Sequence, residues 1–122
     1  MNPPELPEPV GYAHAVVAAP GRTVYLGGQT GGGATVAAQF DSAAASLVAA
    51  VRAAGGEPDD LVSLVVYSTD VEEYRAALEE LGEVWRRHFG RRYPAMALVG
   101  VSALADPEAR VELMGVAVVA DG

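Results

Sequence analysis

The run from Val111 to Val119 limits the folds open to this chain more than any other segment. Successive side chains of a β-strand point to opposite faces of the sheet. Here both faces are apolar, with Leu113, Gly115, Ala117 and Val119 on one and Met114, Val116 and Val118 on the other. Leu61 to Thr69 reads the same way, as a continuous run rich in β-branched residues. Strands of this kind need cover on both sides, and a chain of 122 residues has one small domain with which to provide it.

Two helical patterns cover one side. Val36, Phe40, Ala43, Ala44, Leu47, Val48 and Val51 recur at helical spacing and stop at Gly55-Gly56. Asp70 and Glu73 form an Asp-x-x-Glu capping box that opens a second helix. Its stripe is Tyr74, Ala77, Leu78, Leu81, Val84 and Trp85, and Gly90 ends it. Upstream, Val10 to Ala18 reads as a strand with Tyr12, His14 and Val16 on one face; Pro20-Gly21 is a turn, and Thr23 to Gly27 completes a hairpin. Tyr93 to Val101 and Val111 to Val118 read as a closing hairpin around Asp106-Pro107-Glu108.

The predicted order is ββαβαββ, an α+β fold. Right-handed crossovers put both helices on the same side of the sheet. The bare side would expose several hundred Å² of apolar surface, more than monomers usually tolerate, so self-association is expected. Residues 1–9 are too rich in proline for regular structure and read as an extended N-terminal arm, with a single domain over 10–120.

The net charge of −8 opposes attraction to phosphate backbones and anionic membranes. All eight basic residues are arginine, which excludes a Schiff-base or P-loop lysine, and the absence of cysteine excludes thiol nucleophiles and disulfides. No basic leader or run of ~20 apolar residues is present, so a soluble, cytoplasmic protein is expected. The glycine-rich segment from Gly27 to Gly33 matches neither phosphate-binding spacing. Two distant histidines and scattered carboxylates lack metal-ligand spacing, and no cofactor is implied.

Three stretches together resemble the Rid family (YjgF-type proteins, reactive intermediate deaminases). They are Tyr12 with Gly27-Gly28-Gln29; Ala53-Ala54-Gly55, Asp60-Leu61-Val62 and Tyr67-Ser68-Thr69-Asp70-Val71; and Tyr93-Pro94-Ala95-Met96-Ala97-Leu98 with Val111-Glu112-Leu113-Met114-Gly115. The resemblance runs from Val10 to Val119. It implies a chorismate-mutase-like fold, a homotrimer whose bare sheet faces pack into a central barrel, and a small-molecule pocket at each subunit interface.

It also implies where the chain departs from its relatives. The family arginine after Pro-Ala, understood to pair with a substrate carboxylate, is matched by Met96, and the cysteine often found two residues later by Leu98. Met114 stands at the second glutamate of the family's Val-Glu-Ile-Glu-Ala strand, taken as the residue that activates water. A thioether is a weak acceptor where a guanidinium holds a carboxylate with two bonds. Met96, Leu98 and Met114 therefore read either as a pocket remade for an apolar ligand or as a filled pocket. The first reading makes the chain a binder or transformer of a relatively apolar metabolite and not a standard 2-imino acid deaminase. A retained imine or enamine hydrolase and a noncatalytic scaffold are the alternatives.

Glu112, on the same strand face as Met114, is the candidate displaced general base, or else an ion-pair partner across the interface. Tyr12 and His14 are candidates at the pocket lip, with Gly28 and Gln29 in the lining or the turn. His88 suits the C-terminal end of the second helix. Arg86, Arg87, Arg91 and Arg92 form the one basic cluster, read as ion pairs with Glu79, Glu80 and Glu83 or as interface contacts, not as a nucleic-acid site.

Overall fold

The computed structural model describes residues 1–121. Four strands form a single sheet in the order β1-β4-β2-β3, from β1 (Gly21–Gln29), β2 (Leu61–Ser68), β3 (Ala95–Gly100) and β4 (Val111–Ala120). The apolar Val111–Ala120 segment is central, antiparallel to β1 on one side and to β2 on the other. The remaining pair, β2 and β3, is parallel. The two C-terminal strands therefore form no hairpin, contrary to the sequence reading. A crossover through two helices sets β3 parallel to β2 at the sheet edge, and β4 takes the inner position that a two-sided apolar strand requires.

The first predicted strand is also absent. Residues 10–20 carry one isolated bridge, Ala13 to Ala95, and do not pair with β1. Ala13 N donates to Pro94 O at 3.0 Å, while Met1 N donates to Ala15 O at 2.6 Å and Ala15 N to Met1 O at 3.0 Å. The chain thus starts beside β3 and crosses the end of the sheet to reach β1. Alternating apolar residues described a segment able to pair, but they did not say with which edge.

Helix α1 (Val36–Ala53) starts at Thr35, whose backbone is extended and whose hydroxyl accepts the Ala38 amide at 3.1 Å. Gly55, with φ of +89°, takes the chain out of the helix. The expected second helix divides into α2 (Val71–Ala76) and α3 (Leu78–Phe89). Ala77 leaves helical geometry at φ −104° and ψ 13°, its amide bonded to the carbonyl three residues back. That break turns the stripe, and Leu78 is 57% exposed instead of buried.

Helices α1 and α3 pack on one face of the sheet. Phe40, Leu47, Val51, Val84 and Trp85 meet Leu64, Val66, Leu113 and Ala117 there in a continuous core. The other face carries no helix. Tyr25 on it is 82% exposed and Met114 41%, so the bare apolar side expected from the sequence is present. Among the described residues, no helix is long and apolar enough to cross a membrane.

Candidate functional site

Near its end, β1 is irregular. Leu26 pairs with Gly115 and Gln29 with Leu113, so Gly27 and Gly28 together stand opposite Met114 as a bulge. A side chain is impossible at Gly28 without movement, since a Cβ there would lie 2.8 Å from Glu112 Cδ and 2.9 Å from Oε2. The carboxyl group of Glu112 thus lies against the backbone of the bulge. Gln29 Nε2 donates to Gly27 O at 3.3 Å, a bond that closes the turn.

Glu112 is half-buried on the bare face, level with Tyr67 across β2, and Met114 is level with Val65. On β3, Ala97 and Val99 continue the same two rows. Among the described residues, no group hydrogen-bonds or ion-pairs with the Glu112 carboxylate.

Met96 and Leu98 lie on the opposite side. They pair with the buried Leu64 and Val66, and Met96 packs against the core. Within one chain the sheet separates the Pro-Ala-Met segment from Met114 and Glu112. Tyr12 and His14 stack edge to face at 5.1 Å beside the start of β3, where His14 Nε2 lies 2.7 Å from Pro7 O. Val99, level with Glu112, is four residues further along that strand, about 13 Å. The candidate residues therefore form two groups in the single chain: Glu112, Met114, Gly28 and Gln29 around the bulge, and Tyr12, His14, Met96 and Leu98 along β3.

The polar hub of this end of the fold was not foreseen. Arg110 grips Glu73 with two bonds of 2.7 and 2.9 Å, and Glu73 Oε1 also accepts the Val36 amide at 3.0 Å. Asp70 does accept the Glu73 amide at 3.0 Å, but the Glu73 side chain serves α1 and Arg110, leaving the predicted capping box half-formed. Gln39, 4% exposed, donates to Gly33 O and Glu108 O and accepts the Arg110 amide at 2.8 Å. Its place on the apolar stripe of α1 was the signal that it would be buried and bonded.

The basic cluster also differs in its partners. Arg87 pairs with Asp41 at 3.6 Å and Arg92, beyond the end of α3, with Asp59 at 3.8 Å, not with Glu79, Glu80 or Glu83. His88 Nε2 lies 2.5 Å from Asp41 Oδ1 and so ties α3 to α1, a tertiary role in place of the expected one at the helix end. That bond, with the nearby Arg87 charge, holds the Asp41 carboxyl below the usual carboxylate range against the opposing effect of burial.

Comparison with known proteins agrees with this architecture. The Endoribonuclease L-PSP family model matches residues 5–119. A YjgF/YER057c/UK114-family protein of Mycobacterium tuberculosis is 36% identical, with 90% of this chain and 88% of that one covered and a TM-score of 0.71. YyfB of Yersinia pestis, a Rid-family protein of unknown function, is 30% identical over 98% and 96% of the two chains, with a TM-score of 0.86. RidA of a Psychrobacter species is 32% identical over 93% of each chain, with a TM-score of 0.68. A search of curated proteins gives no match. With nearly its whole length matched and its sheet and helices shared with these structures, the chain belongs to the Endoribonuclease L-PSP family, the group of the YjgF and Rid proteins.

Proposed function

We propose that the protein is a Rid-type homotrimer, closed through its bare sheet face, that hydrolyses an imine or enamine bearing a relatively apolar substituent. Glu112 is the general base. The observation that carries this reading is its carboxylate, half-buried against Gly28 and unpaired with any described residue. Such a group can take a proton from water as the oxygen adds to the imine carbon. The proton then passes to nitrogen, the C–N bond breaks, and a carbonyl compound and ammonia (or an amine) leave.

Met96 and Met114 set the specificity in this scheme. In the trimer a neighbouring subunit brings a Met96 and Leu98 edge toward the Glu112 bulge, and thioether and alkyl groups there favour an apolar substituent over a carboxylate. A ribonuclease reading has less support. The net charge is −8, and Arg87 and Arg92 of the basic cluster already have carboxylate partners.

Ammonia release from freshly generated imines tests the proposal. An imine with an alkyl or aryl substituent should turn over faster than a 2-imino acid, and Glu112→Gln should lower that rate by about 10² to 10⁴. Unchanged activity in Glu112→Gln would remove Glu112 from the mechanism. Preference for the 2-imino acid would overturn the specificity.

A further inference from the structure

A base at the water oxygen meets half of the proton demand of imine hydrolysis. The nitrogen must also gain protons before its bond to carbon breaks, and that calls for a donor on the other side of the reacting carbon. Register places one there. Tyr67 of β2 is the Cα partner of Glu112, and both residues are half-buried on the bare face. Side chains directly opposite one another across an antiparallel pair have Cβ atoms about 4.5–5.5 Å apart. The Glu112 carboxyl group lies toward β1, against Gly28, so acid and phenol stand at one level of the sheet on the two flanks of β4. Among the described residues no group hydrogen-bonds the phenol.

The other donors near this end of the face are distant or engaged. Tyr25 and Ser63 are level with Val116, four residues along β4 and about 13 Å from Glu112. Gln29 Nε2 donates to Gly27 O at 3.3 Å, and Arg110 Nη1 to Glu73 at 2.7 Å. Val99, the neighbour of Tyr67 on β3, has no donor in its side chain.

On the imine-hydrolase reading, we propose that Tyr67 is the general acid, giving its phenol proton to the substrate nitrogen while Glu112 works at the oxygen. Water oxygen bonds to the imine carbon as Glu112 takes its proton; the π pair of C=N moves to nitrogen, and Tyr67 protonates it. The proton on Glu112 then returns to the tyrosinate through water. In the second half Glu112 takes the carbinolamine hydroxyl proton and the carbonyl forms. The C–N pair leaves with nitrogen, which receives its second proton from Tyr67. The same return of a proton restores both groups, and a carbonyl compound and an amine are released.

The basicity of the nitrogen separates a proton donor from a mere wall. An imine of an alkylamine is basic enough to take its proton from solvent, whereas an imine of an aniline is not and depends on the acid of the site. With the full chain, and above the spontaneous rate, Tyr67→Phe should lower kcat for an N-aryl imine about 10²-fold and for an N-alkyl imine less than about threefold, with KM little changed. Circular dichroism and native mass spectrometry should show the variant folded and assembled like the wild type. An equal loss on both imines, an effect confined to KM, or full activity on the N-aryl imine would overturn the role of Tyr67. Glu112→Gln, assayed in parallel, should slow both imines. Its loss of activity beside full N-aryl turnover in Tyr67→Phe would sink Tyr67 alone, whereas wild-type hydrolysis of neither imine would overturn the hydrolase reading as well.

Discussion

Gly28 and Glu112 occupy one another's space: the carboxyl group of Glu112 fills the volume that any side chain at position 28 would take. The glycine bulge and the acid are thus a single unit, made where β1 gains one residue on β4. Gly28→Ala should leave the fold intact, because the Glu112 side chain can rotate away, and should lower imine hydrolysis at least about tenfold by displacing the base. Parallel thermal-melting and ammonia-release measurements check this. A variant with full activity would show that the contact is incidental.

The Arg110–Glu73 pair ties the loop before β4 to α2 and to the first turn of α1. Both side chains are about two-thirds shielded, and Arg110 also donates to Ala34 O at 2.5 Å. Replacing Arg110 with Met should cost about 2 kcal/mol, the scale of hydrogen bonds to a charged group left without its partner. Urea denaturation reads this as a lower midpoint at an unchanged slope.

Asp41 gives a pH signature. Its folded-state pKa is lowered, first by the His88 hydrogen bond, so the unfolded chain binds its proton more tightly. The resulting stabilisation is present above the unfolded value of about 3.9 and is lost as pH falls through the lower, folded value. Asp41→Asn should therefore destabilise the protein near neutral pH, and the difference from the wild type should shrink below about pH 4. Denaturation curves over that range test it.

The bare sheet face predicts assembly. Val116 lies on it between Tyr25 and Ser63. Native mass spectrometry should find the wild type as a trimer, while Val116→Asp should shift it toward monomer by placing a charge where apolar surfaces meet. A wild-type monomer would refute the trimer, and an interface pocket with it.

The sequence alone determined the elements that depend on local or periodic chemistry. Gly55, Asp70 and Gly90 mark helix ends because caps act through adjacent backbone groups, and the stripe of α1 is buried as its spacing predicts. Family membership was legible too, since glycine turns and apolar strands keep their order along the chain. Pairing was decided by the tertiary structure. Val10–Ala18 and the segments flanking Asp106 had strand patterns, yet the first makes one bridge to β3 and crosses the end of the sheet and the other two do not form a hairpin, because alternation fixes a strand's faces but not its neighbours. The same limit governed the site. Met96 and Met114 were read into one interface pocket, and within one chain the register of β3 and β4 on β2 puts them on opposite faces of the sheet, so a shared pocket needs a second subunit. Only the three-dimensional register brought Glu112 against Gly28, residues far apart in sequence whose contact depends on a bulge of one residue.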